Sequence, residues 1–406
     1  MRIQRTVYLL TVCLLSVSLS GCFPWASRAY KNLPEETALD RTYAFEGKVI
    51  VVGAGTSGLA AARVLEQNGV DYQVLEATDR YGGRLKKITG LADFPIDLGA
   101  EWIHNMPGIL NKLKGKAGEE PDEELIPWHL EDSYRWDGAK YKAIPQWYRD
   151  AFFAFMPEQK FKNSTWYDFI DVNFAQEVKQ NIVFNAPVSG IDYTGDQVRV
   201  TTKNGDVYTA DKVLVTVPMG VLKANYIDFV PALSTAKQEA IESVQFLPGF
   251  KLLMKFEEKY YPDIVVCEVE VGEKSFYDVA FKKEAESNVL GLLVTGPTAE
   301  SYYQLGSKEA MLSAALEELD QIFDGKATEH FTGEYVLENW GQSEFTRGTW
   351  VENFRFEKSV TETLNQPLEK KVYFAGEAYD VYKTMGVPGA ILSGFYAIDR
   401  LLTNQE

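Results

Sequence analysis

Five residues near position 55 have the types and spacing of a dinucleotide phosphate site. Gly53, Gly55 and Gly58 follow an apolar run and precede a helix-like stretch. Glycines at this spacing allow a tight turn, close approach of a diphosphate to the backbone, and close packing of the helix on a strand. The N–H groups at the start of that helix, at Thr56 and Ser57, would face the phosphates. The pattern therefore predicts a phosphate-binding loop.

Two predicted strands and a helix position this loop. Residues 48–52 are mostly β-branched, which is typical of a strand buried on both faces, and the helix after the loop is expected to end at Asn68-Gly69. A second strand over residues 72–75 ends at Glu76, whose carboxylate can accept hydrogen bonds from ribose hydroxyls. Strand, loop, helix, strand and acid together predict a nucleotide-binding βαβ unit.

The residues that follow this unit favour a flavin over a nicotinamide cofactor. Residues 79–84 (Asp-Arg-Tyr-Gly-Gly-Arg) stand where a nicotinamide dehydrogenase would usually begin its next helix. Together with residues 97–104 (Asp-Leu-Gly-Ala-Glu-Trp-Ile-His), they make the chain resemble the flavin-containing amine oxidases, which include monoamine oxidases, polyamine oxidases and lysine-specific demethylases. The resemblance covers almost all of residues 48–402 and implies FAD as the cofactor.

The resemblance also implies which residues hold FAD. Val188 matches the position whose backbone meets the adenine, and residues 386–390 match a helix start whose N–H groups reach the flavin pyrimidine. Thr349 stands where monoamine oxidases have the Cys that bonds to flavin, so non-covalent FAD is expected. The implied cofactor-binding residues are Gly53, Gly55, Thr56, Ser57, Gly58, Glu76, Ala77, Arg80, Gly83, Arg84, Gly99, Ala100, Glu101, Trp102, Val188, Gly376, Glu377, Gly386, Val387 and Ala390.

Three further residues are implied in catalysis. Lys251 precedes an apolar strand and the pair Tyr261-Pro262, the order in which the family has a lysine that binds a water at flavin N5. Trp350 matches one wall of an aromatic cage in front of the flavin, where a π face tolerates an amine nitrogen. His104 matches the mouth of that cage. The ordinary alternatives are a solvated lysine, a core tryptophan and a surface or core histidine.

Two residues depart from the family pattern. Gly386 stands where many members have the second aromatic wall of the cage, and Pro388 replaces a common His. The cage is therefore expected to be open on one side.

The segments implied in FAD binding are separated along the chain. They predict an α/β fold in which a discontinuous, Rossmann-like FAD-binding domain (45–103, 176–246 and 366–406) carries an inserted α+β substrate domain (104–175 and 247–365). The first insert is rich in Trp, Tyr and Phe, and we expect it to form a helical lid or pocket wall.

The first 22 residues have the layout of a secretory signal. Two arginines precede an apolar run over residues 7–19, and Leu-Ser-Gly-Cys ending at Cys22 resembles the lipobox of bacterial lipoproteins. Residues 1–22 are therefore predicted to be a lipoprotein signal peptide with its lipidated cysteine, and 23–44 a tether. An ordinary signal peptide is the alternative. The expected location is the periplasmic or outer side of a bacterial membrane.

Composition excludes several classes of partner. The chain has 406 residues with 41 Lys+Arg and 58 Asp+Glu, a formal net charge of −17, so a nucleic-acid partner is not expected. Three histidines in the whole chain and no ligand-like spacing also give no reason to expect a metal site.

The activity predicted from the resemblance is FAD-dependent amine oxidation. Hydride would pass from the amine α-carbon to flavin, the imine would be hydrolysed, and dioxygen would reoxidise the flavin to give hydrogen peroxide. The substrate would be a polyamine-like or other primary or secondary amine. A desaturase or porphyrinogen-oxidase-like enzyme and a non-catalytic flavin-binding lipoprotein are the alternatives. The particular amine, the electron acceptor, the anchoring membrane and the oligomeric state stay open.

Overall fold

The computed structural model describes residues 33–104, 108–115, 123–155, 157–352 and 358–404. The predicted signal peptide with Cys22, and residues 23–32 of the predicted tether, lie outside the described residues. Within the described ranges, none of the helices is long and apolar enough to cross a bilayer.

The strands of the described residues are numbered in chain order. They are β1 (Lys48–Val52), β2 (Asp71–Leu75), β3 (Lys87–Ile88), β4 (Ile96–Asp97), β5 (Trp102–His104), β6 (Leu125–Pro127), β7 (Ser133–Trp136), β8 (Tyr141–Ala143), β9 (Glu158–Phe161), β10 (Ile182–Val183), β11 (Val188–Asp192), β12 (Val198–Thr202), β13 (Val207–Ala210), β14 (Lys212–Val215), β15 (Asp228–Val230), β16 (Gly249–Phe256), β17 (Ile264–Cys267), β18 (Lys274–Asp278), β19 (Asn288–Thr295), β20 (Phe331–Asn339) and β21 (Val372–Phe374).

The α-helices are numbered in the same way. They are α1 (Thr56–Gln67), α2 (Ile109–Leu113), α3 (Gln146–Phe155), α4 (Trp166–Ile170), α5 (Gln176–Val178), α6 (Met219–Lys223), α7 (Thr235–Ser243), α8 (Pro297–Tyr303), α9 (Lys308–Phe323), α10 (Lys326–His330), α11 (Lys358–Asn365) and α12 (Gly386–Thr403). Short 3₁₀ turns cover Ala38–Asp40, Lys179–Asn181 and Glu377–Tyr379, and a π turn covers Asp171–Ala175.

A five-stranded parallel sheet carries the nucleotide loop. Its order is β10-β2-β1-β14-β21, and all four pairings are parallel. Side chains of β1 alternate between two apolar clusters, because successive residues of a strand point to opposite faces. Val49 and Val51 pack with α1 and α12, whereas Ile50 and Val52 pack with β11–β14 and α7. The sheet is thus buried on both faces, which confirms the predicted Rossmann-like α/β fold.

A second large sheet lies beside the parallel one. It has seven strands in the order β20-β16-β19-β18-β17-β7-β8, with β16 in its interior between β19 and β20. Two smaller sheets have the orders β13-β12-β11-β15 and β5-β9-β6. The described part of the first insert therefore contributes β6–β9 as well as helices. Of the two forms expected for this insert, a helical lid or a pocket wall, the described part is not purely helical, because β6 pairs with β9 and β7 pairs with β8 and with the distant β17.

The predicted tether is shorter than expected. Ala38 is buried against the apolar cluster of α1 and α12. Arg41 and Tyr43 both donate hydrogen bonds to Asp399 of α12, at 2.8 and 2.7 Å. Leu33 packs against the same cluster and Lys112 Nζ donates to the Glu35 carbonyl, so the chain is docked on the fold from residue 33 onward, where the described residues begin.

Candidate active site

The glycine loop has no space for a side chain where it faces Gly53 and Thr216, and it is open on the other side, where a diphosphate would bind. A Cβ at Gly58 would lie 2.0 Å from the Gly53 carbonyl oxygen and 2.9 Å from Thr216 Oγ1, so only glycine lets α1 begin this close to β1. Gly55 is the N-cap of α1 and has no side chain to bond the first-turn N–H groups. The nearest atom to a Cβ at Gly55 would be Gly83 Cα at 4.0 Å, so its outer side is open. The loop fits a bound phosphate group.

Ser57, in the first turn of α1, carries an orphaned polar atom. Its side chain is 4% exposed, and its Oγ has no hydrogen-bond partner among the described residues. A buried hydroxyl without a partner is rare in folded proteins. This observation also fits a bound group at the loop.

Glu76 lies at the end of β2, against the same loop. Its Oε2 accepts from the Ala54 N–H at 2.8 Å, and its Oε1 accepts from the Thr78 N–H and Oγ1 at 2.9 and 2.8 Å. An ionised carboxylate has about four acceptor positions, so capacity remains for a ribose hydroxyl. The Glu76 carbonyl accepts from the Ala186 N–H, which brings the chain leading to Val188 alongside. The structure thus places Val188 on the Glu76 side of the loop.

Arg84 joins the chain segments that the resemblance assigns to FAD. Its Nη1 donates to Glu377 Oε2 at 2.7 Å and to the Thr349 carbonyl. Arg84, Glu377, Gly376 and Thr216 line one cavity, together with Val351. This cavity draws its walls from residues near 84, near 216 and near 376, and it is where a cofactor bound at the glycine loop would continue.

Arg80 has a different place from Arg84. Its guanidinium donates to the carbonyls of Tyr81, Gly83 and Leu85, at 3.1, 2.6 and 2.9 Å. The structure therefore shows Arg80 shaping the loop that carries Gly83 and Arg84.

Segment 97–102 packs directly on this loop. A Cβ at Gly99 would lie 1.6 Å from the Arg84 carbonyl oxygen, so only glycine permits the contact. Trp340 Nε1 donates to the Leu98 carbonyl at 3.0 Å and fixes the segment from its other side. The Trp102 ring lies 5.1 Å from the Tyr277 ring, edge to face. Gly99 contacts the backbone of Arg84 and Ala100 is the next residue, so this segment lies next to the loop that carries Arg84.

Lys251, in the interior strand β16, is 2% exposed and bonds to segment 97–101. Its Nζ donates to the Asp97 carbonyl at 3.0 Å, the Gly99 carbonyl at 2.9 Å and Glu101 Oε2 at 2.8 Å. An ammonium has three N–H groups, so each has an acceptor. Lys160 Nζ lies 2.5 Å from the other carboxylate oxygen of Glu101. One buried carboxylate therefore bridges two buried lysines.

The two acids of this cluster have opposite pKa shifts. Burial alone would raise the pKa of Glu101, but the charges of Lys160 and Lys251 outweigh it and lower the pKa to about 2. Burial, and then the negative charge of Glu101, raise the pKa of Asp97 to about 8. At neutral pH Glu101 is therefore ionised and Asp97 is largely protonated.

The predicted cage residue His104 lies over the start of α12. A Cβ at Gly386 would lie 3.9 Å from His104 Cδ2, so the imidazole occupies the side where Gly386 leaves out an aromatic wall. His104 Nδ1 is 2.9 Å from Glu158 Oε1. Burial would lower the pKa of His104, but the hydrogen bond to Glu158 and the charges of Glu158 and Glu273 raise it. The His104 side chain is 36% exposed.

Three carboxylates lie close to His104 and Trp350. Burial, and the charges of Glu158 and Glu352, raise the pKa of Glu273, while His104 lowers it. The Glu352 carboxylate accepts from Trp350 Nε1 at 3.1 Å, which ties the predicted cage tryptophan to the same group. Glu158, Glu273 and Glu352 therefore form a cluster of acids close to His104 and Trp350.

Helix α12 lies beside the Arg84 cavity. The Gly376 N–H donates to Ser393 Oγ of α12 at 3.1 Å. Val387 and Ala390 are buried in its first turns. Ala77 follows Glu76 directly and is half-buried beside the loop.

Sequence reasoning missed several residues of the site. Glu158 lies opposite His104 in the β5–β9 pairing, and that pairing could not be read from sequence. Lys160 and Tyr277 both bond Glu101 but come from strands with no recognisable motif. Glu352 stands two residues after the predicted cage residue Trp350, and this spacing could have suggested Glu352 as one of the three carboxylates.

Comparisons with known proteins agree with this geometry. Residues 56–165 and 150–402 match the family described as flavin containing amine oxidoreductase. Polyamine oxidase 3 of Oryza sativa subsp. japonica is 26% identical over 433 residues, covering 86% of this chain and 88% of the oxidase. Lysine-specific histone demethylase 1B of Mus musculus is 24% identical over 433 residues, and the match covers 85% of this chain. It covers 52% of the demethylase, so the chain spans about half of that relative's length.

Solved structures agree on the fold. A putrescine oxidase triple mutant with redesigned cofactor binding superposes with a TM-score of 0.69 at 17% identity, covering 90% of this chain and 99% of the mutant. The family match spans well over half of the chain and includes the start of α1 from Thr56 and the start of α12. The chain belongs to the flavin-containing amine oxidoreductases, and FAD is its cofactor.

Proposed function

We propose that this protein oxidises polyamine-like or other primary or secondary amines with FAD. The cluster of acids close to His104 and Trp350 carries the proposal, since Glu158 pairs with His104, Glu352 accepts from Trp350 Nε1, and the charges of both acids act on Glu273. Relatives named polyamine oxidases and a structural neighbour named putrescine oxidase support an amine substrate.

The chemistry and the positioning are divided between cofactor and chain. Bound FAD supplies a hydride acceptor for the amine α-carbon, after which the imine is hydrolysed and dioxygen takes up the electrons as hydrogen peroxide. Trp350 offers an apolar face that holds the carbon chain and tolerates the nitrogen.

The carboxylates favour a substrate with a second positive charge. A distal ammonium can lie between Glu273 and Glu352 while the reacting nitrogen lies at the Trp350 wall. An apolar polyene or a porphyrinogen brings no positive charge to these acids. The acid cluster therefore supports an amine over the desaturase and porphyrinogen-oxidase alternatives.

The test is anaerobic reduction of the purified flavoprotein, followed by its absorbance at 450 nm. Spermine, spermidine, putrescine and tyramine form the panel, and butylamine is the matched control for putrescine because it lacks the second nitrogen. We expect putrescine or a longer polyamine to bleach the flavin fastest. Normal FAD content without bleaching by any amine would contradict the proposal and favour a non-catalytic flavin-binding protein.

A variant tests whether Glu273 binds the second positive charge of the substrate. Glu273→Gln should raise KM for putrescine about tenfold, the size expected for losing a hydrogen bond between charged groups, and leave butylamine unchanged. Glu300→Gln, at an exposed position of α8, is the control. An equal change for both amines would show that Glu273 does not bind the distal nitrogen.

Dioxygen is proposed as the electron acceptor. Peroxide formation measured against turnover with an artificial acceptor tests this assignment. If turnover requires the artificial acceptor, the protein is a dehydrogenase.

We also propose that the chain is exported and lipid-anchored at Cys22, on the order of charges, apolar run and Leu-Ser-Gly-Cys in residues 1–22. Labelled palmitate should enter the wild-type protein in a bacterial host and should not enter Cys22→Ala. Equal labelling of both proteins, or of neither, would refute the anchor.

A further inference from the structure

Glu101 has a more specific place than a general cofactor contact. Its side chain is 5% exposed, and both of its oxygens face protein groups. Oε2 accepts from Lys251 Nζ at 2.8 Å and from Tyr277 OH at 2.7 Å, while Oε1 lies 2.5 Å from Lys160 Nζ. The carboxylate therefore points away from the Arg84 cavity.

These contacts place Glu101 behind Lys251. Lys251 donates its three N–H groups to segment 97–101, two to backbone carbonyls and one to Glu101. The same segment touches the Arg84 loop at Gly99, where no side chain fits. Movement of Lys251 would therefore move the wall of the FAD site.

The surroundings of Glu101 make its negative charge indispensable to this arrangement. Lys160 and Lys251 are 3% and 2% exposed in their side chains, and Glu101 is the acid with which both pair. Lys160 Nζ also lies 4.5 Å from the Trp128 ring, and Lys251 Nζ lies 5.5 Å from the Trp102 ring. Removing the carboxylate would leave two buried ammonium groups facing one another, which is strongly unfavourable.

We propose that Glu101 is a positioning residue. Held by Lys160 and Tyr277, it fixes the ammonium of Lys251 and segment 97–101 in the geometry needed for flavin reduction by the amine. This inference rests on the proposed function, and it assigns to Glu101 an action through Lys251.

A double-mutant cycle tests the action through Lys251. Glu101→Gln keeps an acceptor oxygen but removes the charge, and we expect it to lower the rate constant of anaerobic flavin reduction about tenfold. In the Lys251→Met background, the same change should alter that rate constant by less than about twofold, because coupled residues are not additive. The FAD dissociation constant and the flavin absorption spectrum of the four proteins are measured alongside.

A matched pair supplies the control for stability. Lys274 and Glu318 form a half-buried ion pair, with side chains 12% and 19% exposed, between β18 and α9. Glu318→Gln should lower Tm and leave the reduction rate constant and the flavin spectrum unchanged. If Glu101→Gln does the same, its role is structural and the inference is wrong.

Further outcomes separate the inference from the proposed function. Additive effects of Glu101→Gln and Lys251→Met would show that Glu101 acts independently, which overturns the inference. If Glu101→Gln does not fold, Tyr277→Phe removes one hydrogen bond to the carboxylate and should give a smaller change that also vanishes in Lys251→Met. If no amine reduces the wild type, the proposed function fails, and coupling in the FAD dissociation constant and spectrum still decides the inference.

Discussion

Asp97 is the residue whose charge state most directly links pH to folding. Its Oδ2 accepts from the Trp166 N–H at 3.3 Å, and its buried Oδ1 has no partner among the described residues. Burial, then the charge of Glu101, raise its pKa to about 8, against about 3.9 in an unfolded chain. Between those values the folded protein binds more protons than the unfolded one. The free energy of unfolding therefore falls as pH rises through this window.

Asp97→Asn should remove this part of the pH dependence. We expect the Tm of the wild type to fall relative to that of the variant as pH rises from 5 to 8, because the amide of the variant has no proton to lose. Thermal unfolding followed by circular dichroism at several pH values measures the difference. Asp228→Asn, an exposed acid of β15, should keep the wild-type profile. Parallel profiles for Asp97→Asn and the wild type would contradict the assignment.

At the level of elements, the contact between β1 and α1 depends on one missing side chain. Gly58→Ala would place a Cβ 2.0 Å from the Gly53 carbonyl oxygen. Overpacking of this kind costs about 1–3 kcal/mol or more, and here it also pushes the helix start away from the phosphates. We expect a lower Tm and loss of bound FAD, measured by absorbance after gel filtration.

Gly190→Ala provides the control for that change. Gly190 lies in β11, where the nearest atoms to a new Cβ would be 3.8 Å away. The control should retain FAD. Retention of FAD by Gly58→Ala as well would show that the close approach is not needed.

Elements were predictable where the pattern is local. The β-branched run of β1 and the helix α1 are each decided within a few residues. The partners of β7 were not predictable, since it pairs in parallel with β17 more than a hundred residues later. Glu158 and Lys160 were missed for the same reason, because the β5–β9 pairing sets their position. The domain boundaries themselves stay predictions.

For the whole molecule, FAD is expected to act as a stabilising ligand that can be removed. The Thr349 hydroxyl donates to the Leu247 carbonyl at 3.0 Å, and Cys267 is buried in β17 in a different apolar cluster. Neither offers a thiol to the flavin, so acid precipitation should release all of the FAD into solution. Covalent flavin remaining in the precipitate would contradict this expectation.

Refolded or gently stripped apoprotein should then regain stability from added FAD. A ligand that binds only the folded state adds about 2.7 kcal/mol at 100 times its dissociation constant. Tm should rise with FAD concentration and stay constant with riboflavin, which lacks the diphosphate and adenosine groups. A rise with riboflavin alone would show that the glycine loop does not carry the affinity.

The hydrogen bonds from Arg41 and Tyr43 to Asp399 have a consequence for an enzyme anchored to a membrane at Cys22, as proposed. Ten residues, 23–32, separate Cys22 from the first docked residue that the structure describes, and a fully extended chain of that length reaches about 35 Å. An anchored molecule would thus lie within roughly one protein diameter of the lipid headgroups. Its encounters with amines would be governed by their concentration at the membrane surface, not in bulk solution.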